Sequence, residues 1–136
     1  MGDMSNRDVV EKFYKATQSG DPAGILDALH PRFQGWVAPG MPSVTVTQAQ
    51  SPETALAGIW QPVFREYEIA PFAEEWFDAY PNTVIVTGHY RGTARATGKH
   101  VAAEFAHIWH IADEKLLALH QYTDTWHWRE ALSDAA

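Results

Sequence analysis

The segment from Phe105 to Trp128, FAHIWHIADEKLLALHQYTDTWHW, holds four of the seven histidines and three of the six tryptophans of a 136-residue chain. Imidazole titrates closer to neutrality than any other side chain, so His107, His110, His120 and His127 are candidates for acid/base work or metal ligation. The metal reading is weak. His107 and His110 are three residues apart, an odd spacing that puts them on opposite faces of a strand because successive side chains alternate, whereas a helical zinc motif places its histidines at i and i+4 on one face. The chain has no cysteine, which excludes thiolate sites, disulfides and cysteine nucleophiles. No metal and no cofactor is expected.

Other charged motifs read as structural. Asp124 in YTDT sits at a strand end, where an aspartate more often accepts backbone hydrogen bonds. Glu74 and Glu75 are neighbours that face opposite ways on a strand, a solvated edge. GHYRG, Gly88 to Gly92, opens no helix and so is no phosphate loop; His89 and Arg91 are expected to face outward.

The elements that must position these residues follow from spacing. Ser5 with Asp8 makes a capping box, and Val9, Val10, Phe13, Tyr14 and Thr17 recur with helical period until Gly20. Asp21-Pro22 starts a short second helix with Ile25, Leu26 and Leu29 inward, broken at His30-Pro31. RFQGWVAPGMP reads as a strand entering a loop. Ser51-Pro52 starts a third helix with Leu56, Ile59, Trp60, Val63, Phe64 and Tyr67 on one face, and Pro62 inside it should remove a backbone bond and bend it. From Glu68 the period changes to two, punctuated by YPN, TGK and ADE, which is an antiparallel meander. Three helices followed by strands predict one α+β domain spanning 1–136, with helices packed on one sheet face.

Composition narrows the partners. Hydrophobic residues are 46% and charged residues 20%, too apolar for disorder. The net charge of −7 and ten scattered Lys and Arg argue against nucleic acid. No apolar run approaches the ~20 residues of a membrane span. The start, MGDMSNRDVV, has no apolar signal core, and Asn6 stands where myristoylation requires Ser or Thr. A cytoplasmic location is the expectation.

The order of elements, the TGK turn at Thr97 to Lys99, HIW at His107 to Trp109 and ADEKL at the last turn together resemble the nuclear-transport-factor-two-like superfamily, in its SnoaL-like and ketosteroid-isomerase-like branch. The resemblance implies a cone: a curved antiparallel sheet wrapped around three N-terminal helices, with a central pocket, and a homodimer through the outer sheet face. It phases the last hairpin. Leu119, Gln121 and Thr123, with Phe105, His107 and Trp109 on the preceding strand, are implied to face the pocket, leaving His110, His120, Tyr122 and Asp124 outside. Glu114 replaces a glycine usual in that turn.

The family's catalytic groups do not carry over. Ketosteroid isomerases use an aspartate base, a helix tyrosine and a neutral aspartate, where this chain aligns Ala38, Phe13 and His107. SnoaL-like cyclases and limonene epoxide hydrolase place an aspartate where Gln121 stands, and an amide exchanges no protons at neutral pH. The hydrolase's further Arg and Asp fall at Gly88 and Tyr90. His107 is then the one titratable candidate for catalysis, and Trp109, Gln121, Tyr90, Trp36, Phe105, Leu119, Thr123 and Phe13 are the candidates for contacting a ligand. Three functions stay open: a small, largely apolar molecule bound with His107-assisted proton transfer, the same pocket without catalysis, or a protein-association module.

Overall fold

The computed structural model describes residues 4–133. Its elements are α1 (Asn6–Gln18), α2 (Pro22–Ala28), β1 (Leu29–Trp36), β2 (Gln48–Ala49), α3 (Pro52–Ala55), a π-helical turn (Leu56–Trp60), α4 (Gln61–Glu66), β3 (Tyr67–Ala79), β4 (Thr83–Ala94), β5 (His100–Ala112), β6 (Lys115–Thr123) and α5 (Thr125–Leu132). The strands form one curved, unclosed six-stranded sheet in the order β2-β1-β6-β5-β4-β3, the α+β fold class expected from the sequence. The sheet is mixed. β1 runs parallel to β6, because the chain returns beside β1 only after the whole meander, and the other pairs are antiparallel.

The helix starts follow the caps. Ser5 and Asp8 exchange both bonds of a capping box, and the Asp21 carboxylate accepts from the Gly24 amide. α2 ends one residue before Leu29, which opens β1 instead of closing the helix. α1 buries Val9, Val10, Phe13 and Tyr14 against the inner face of the sheet.

Pro62 removes one backbone hydrogen bond from the helix, as the sequence suggested. It has no N–H to give the Gly58 carbonyl four residues back, and the helix passes through a π turn just before it. The Gly58 carbonyl instead accepts the Thr45 amide at 2.8 Å. A Cβ at Gly58 would lie 2.7 Å from a Val46 methyl, so the glycine lets the 41–47 loop close on the helix. This holds Val37 and Met41 against the core.

Two features of the meander depart from the simple pattern. Asp113 and Glu114 both take left-handed backbone angles, +54° and +59°, as a two-residue type I′ hairpin turn requires, so the turn keeps its form without glycine. His30 bonds the Asp113 carboxylate and the Met4 amide donates to that of Glu114, which ties the turn to the start of β1 and to the residues preceding α1. The chain past β6, where Asp124 was read as a strand end, turns helical. It forms α5, N-capped by Asp124, and this helix buries Trp128 while Trp126 stays 66% exposed.

The glycines of GHYRG are where strands β3 and β4 touch backbone to backbone. A Cβ at Gly92 would lie 2.0 Å from the Glu68 carbonyl oxygen and 2.7 Å from the Ile69 Cα, and backbone cannot give way as a side chain can. Gly92→Ala is expected to lower the unfolding free energy by about 2 kcal/mol or more. Urea denaturation measures this; a change under about 0.5 kcal/mol would show that the strands separate freely there.

Candidate functional site at the inner sheet face

The pairing register sets the site. β5 and β6 pair His107 with Gln121 and Trp109 with Leu119, so their side chains share the inner face. All four are buried, His107 to 2% exposure. Above them α1 lowers Tyr14, and from β4 Tyr90 reaches across.

These residues form one line of hydrogen bonds. Trp109 Nε1–H donates to the Tyr14 hydroxyl at 3.1 Å, and that hydroxyl lies 2.8 Å from His107 Nδ1. His107 Nε2 lies 2.7 Å from the Tyr90 hydroxyl, to which Gln121 Nε2–H donates at 2.8 Å. The Ala38 amide donates to Gln121 Oε1 at 3.1 Å, which fixes the orientation of the side-chain amide. Phe105 stacks on the imidazole, ring centroids 4.0 Å apart.

Burial keeps the line uncharged. Desolvation pushes the His107 pKa down to about 3, because no carboxylate bonds the ring and the charged form would sit among aromatics. The same burial raises Tyr14 and Tyr90 well above the usual phenol, although the bonds from Trp109 and Gln121 pull partly the other way. At neutral pH the imidazole is neutral and both phenols keep their protons. Both ring nitrogens are hydrogen-bonded, so His107 exchanges a proton with a ligand only through the Tyr90 hydroxyl.

Beside this line lies a cavity of about 40 Å³ bounded by Phe13, Ile59, Val63 and Trp60 on the helical side and by Tyr90, His107, Leu119, Gln121 and Trp128 on the sheet side. On that measure one water needs roughly 10–15 Å³, so the space holds only a few water-sized spheres. Thr17, Phe64, Ile69 and Ala70 also line a wider open groove of about 800 Å³, which carries Arg65, Arg91 and Arg95. The groove is larger, yet the buried polar chemistry is at the small cavity, and the two share that four-residue wall.

Of the sequence candidates, Phe13, Tyr90, His107, Leu119 and Gln121 border the cavity. Phe105 and Trp109 stand behind the histidine and support it instead. Trp36 and Thr123 are elsewhere. Trp36 pairs with His120, and its ring stacks on that imidazole at 4.5 Å on the outer face, because β1 takes its parity from β6. Thr123 ends β6, where its hydroxyl donates to the Glu104 carbonyl and accepts Trp128 Nε1–H. Tyr14 and Trp128 were not anticipated. Tyr14 adjoins Phe13, the residue aligned with the family's tyrosine, in the same buried stripe, and Tyr14 is the phenol that reaches the strand. Trp128 is brought inward by α5 and is held by a bond from the Tyr67 hydroxyl to its carbonyl, 2.7 Å. Asp124 caps α5 through the His127 amide, a structural role. Among the described residues no three His, Asp or Glu side chains converge to hold a metal ion, and no helix is long and apolar enough to cross a membrane.

With this geometry the relatives can be compared. The SnoaL-like domain family model matches residues 10–119, and the chain belongs to that family. An NTF2-like protein of Burkholderia thailandensis superposes with a TM-score of 0.83 at 25% identity, over 96% of this chain and 99% of that one. A SnoaL-like polyketide cyclase, so described, of Jannaschia superposes at 0.77 with 16% identity over the whole of both chains. TerC, crystallised with polyporic acid, superposes at 0.78 with 21% identity over 93% and 96%. No curated protein matches the sequence. The family and these neighbours define the SnoaL-like, NTF2-like α+β fold.

The depressed His107 pKa makes stability pH-dependent with a definite sign. The unfolded imidazole takes a proton near pH 6.5 while the folded one does so only near 3, so this contribution is complete above about 6.5 and is lost as pH falls toward 3. The unfolding free energy should drop by up to about 1.4 kcal/mol per pH unit on this account. Urea midpoints from pH 7 to pH 4 test it: the wild-type slope should exceed that of His107→Gln by about one proton, and equal slopes would contradict it.

Proposed function

We propose that the protein binds a small, largely apolar organic molecule at the cavity beside Tyr90, His107 and Gln121, and that proton transfer of the isomerase, cyclase or dehydratase kind runs through the Tyr90 hydroxyl with His107 as its relay. The observation that carries this is an uncharged, hydrogen-bonded polar line, Tyr14–His107–Tyr90, at the edge of an otherwise apolar hollow. Buried polar networks cost stability unless every member is satisfied, and placing one at a cavity wall gives an apolar site a few directed polar groups. Phe13, Leu119 and Gln121 contact the ligand in this reading, and Trp128 joins them.

A second reading, binding without turnover, is favoured by a specific fact. Neither ring nitrogen of His107 is open, and Gln121 and Ala38 stand where relatives use carboxylates. The two are separated by experiment. Apolar fragments are expected to shift the methyl resonances of Val37, Ile59 and Val63 while leaving those of Ile85 and Ile108 on the outer face; shifts confined to the outer face would refute cavity binding. For a fragment that binds and reacts, Tyr90→Phe should slow turnover by roughly 10²-fold or more. Unchanged turnover in that variant would remove the relay.

The same proposal places the protein in the cytoplasm as a homodimer. Across the outer face the register lines up Ile85, Ile108, His120 and Trp36, all half-buried in the single chain and one per strand. A contiguous apolar row of this kind is suited to a second copy. Ile108→Glu should convert dimer to monomer in sedimentation velocity, and a wild-type monomer at tens of micromolar would refute the interface.

A further inference from the structure

Counting hydrogens along the buried line shows what it lacks. Its two ends are fixed donors: Trp109 Nε1 can only donate, and Gln121 Nε2 must donate because Oε1 already faces the Ala38 amide. Between them lie two contacts, Tyr14 to Nδ1 and Nε2 to Tyr90. Each contact uses one hydrogen. Three are present, one on each phenol and one on the neutral ring, so one hydroxyl hydrogen is left over.

The ring tautomer decides which. If Nδ1 carries the hydrogen, it donates to Tyr14, Tyr90 donates to Nε2, and the Tyr14 hydrogen is surplus. If Nε2 carries it, Tyr14 donates to Nδ1, the ring donates to Tyr90, and the Tyr90 hydrogen is surplus. Tyr14 does not border the cavity, whereas Tyr90 does. Gln121 adds to this. Its Nε2 bears two hydrogens and makes one bond, and it lies 2.8 Å from the Tyr90 oxygen. Two donor hydrogens can therefore converge on one point in the cavity, with no acceptor for them among the described residues.

We infer that the ligand presents a bare, uncharged acceptor oxygen of carbonyl type to Tyr90 and Gln121, and that its binding selects the Nε2–H tautomer of His107. This rests on the binding reading above and names the chemical class that the site takes. An anionic carboxylate is disfavoured there, because the line is neutral and Arg65, Arg91 and Arg95 line the outer groove, not the inner cavity. A hydroxyl is disfavoured because, with its oxygen accepting both donors, its own hydrogen would be left without an acceptor in the apolar cavity.

Two probes of nearly equal shape isolate the acceptor: cyclopentanone and methylenecyclopentane, which differ by oxygen against CH₂. Affinities come from methyl shifts of Val37, Ile59 and Val63, and the tautomer from ¹⁵N shifts of the His107 ring. The preference for ketone over alkene should fall roughly fivefold from wild type to Tyr90→Phe, about the worth of one net hydrogen bond. Saturating cyclopentanone should leave only the Nε2–H form in the wild type, a reading that needs no variant. An equal preference in both proteins, or Nδ1–H persisting under saturating ketone, overturns the inference while the cavity reading survives. Failure of both probes to bind overturns the cavity reading and the inference with it.

Discussion

A neutral imidazole held between two phenols sets the constraint from which the other features follow. Inside an aromatic shell an imidazolium would lose its hydration without gaining a carboxylate, so the ring stays neutral and each nitrogen needs a partner. The partners come from separate parts of the chain: Tyr14 from α1, Tyr90 from β4, and Gln121 from β6, with Gln121 in turn fixed by the Ala38 amide after β1. One ring therefore fixes the position of the first helix over the sheet and the end of the first strand beside the last. Side-chain bonds of this length tolerate little displacement, so the site and the fold share their tolerances.

The rest of the architecture shapes the apolar remainder of the hollow. Pro62 leaves the Gly58 carbonyl to the Thr45 amide, and this brings Val37 and Met41 into the wall that the sheet alone would leave open. At the other end α5 lays Trp128 against Tyr67 and Tyr90, with ring centroids 5.0 and 4.8 Å apart. The result is polar at one point and apolar elsewhere. Such a site orients a ligand by one atom and retains it by area. It also differs from a site built on a carboxylate, since its polar groups donate and carry no charge.

Much of this was legible from residue types and period. The caps at Ser5 and Asp21 and the period-two run after Glu68 marked the elements, and phasing the last hairpin by family resemblance separated His107 from His110 and His120. The remainder depended on tertiary geometry. Strand β1 has no turn linking it to β6, so the parity of Trp36 could not be read locally and its ring is on the outer face with His120. TDTWHW continues the alternation of the strand, and only the Asp124 cap signals that a helix begins, which is why the burial of Trp128 by α5 was not read from the sequence. Phe13 and Tyr14 share one buried stripe; which of the two reaches β5 is decided by helix rotation over the sheet, a packing property that period does not specify.

The central claim is a matter of where hydrogens lie, so a neutron crystal structure of the deuterated protein at pH 7 tests it most directly. The account predicts one deuterium on the His107 ring, one on each of the Tyr14 and Tyr90 oxygens, and Gln121 Nε2 turned toward Tyr90. Deuterium on both ring nitrogens, or a bare phenolate at either tyrosine, would contradict it.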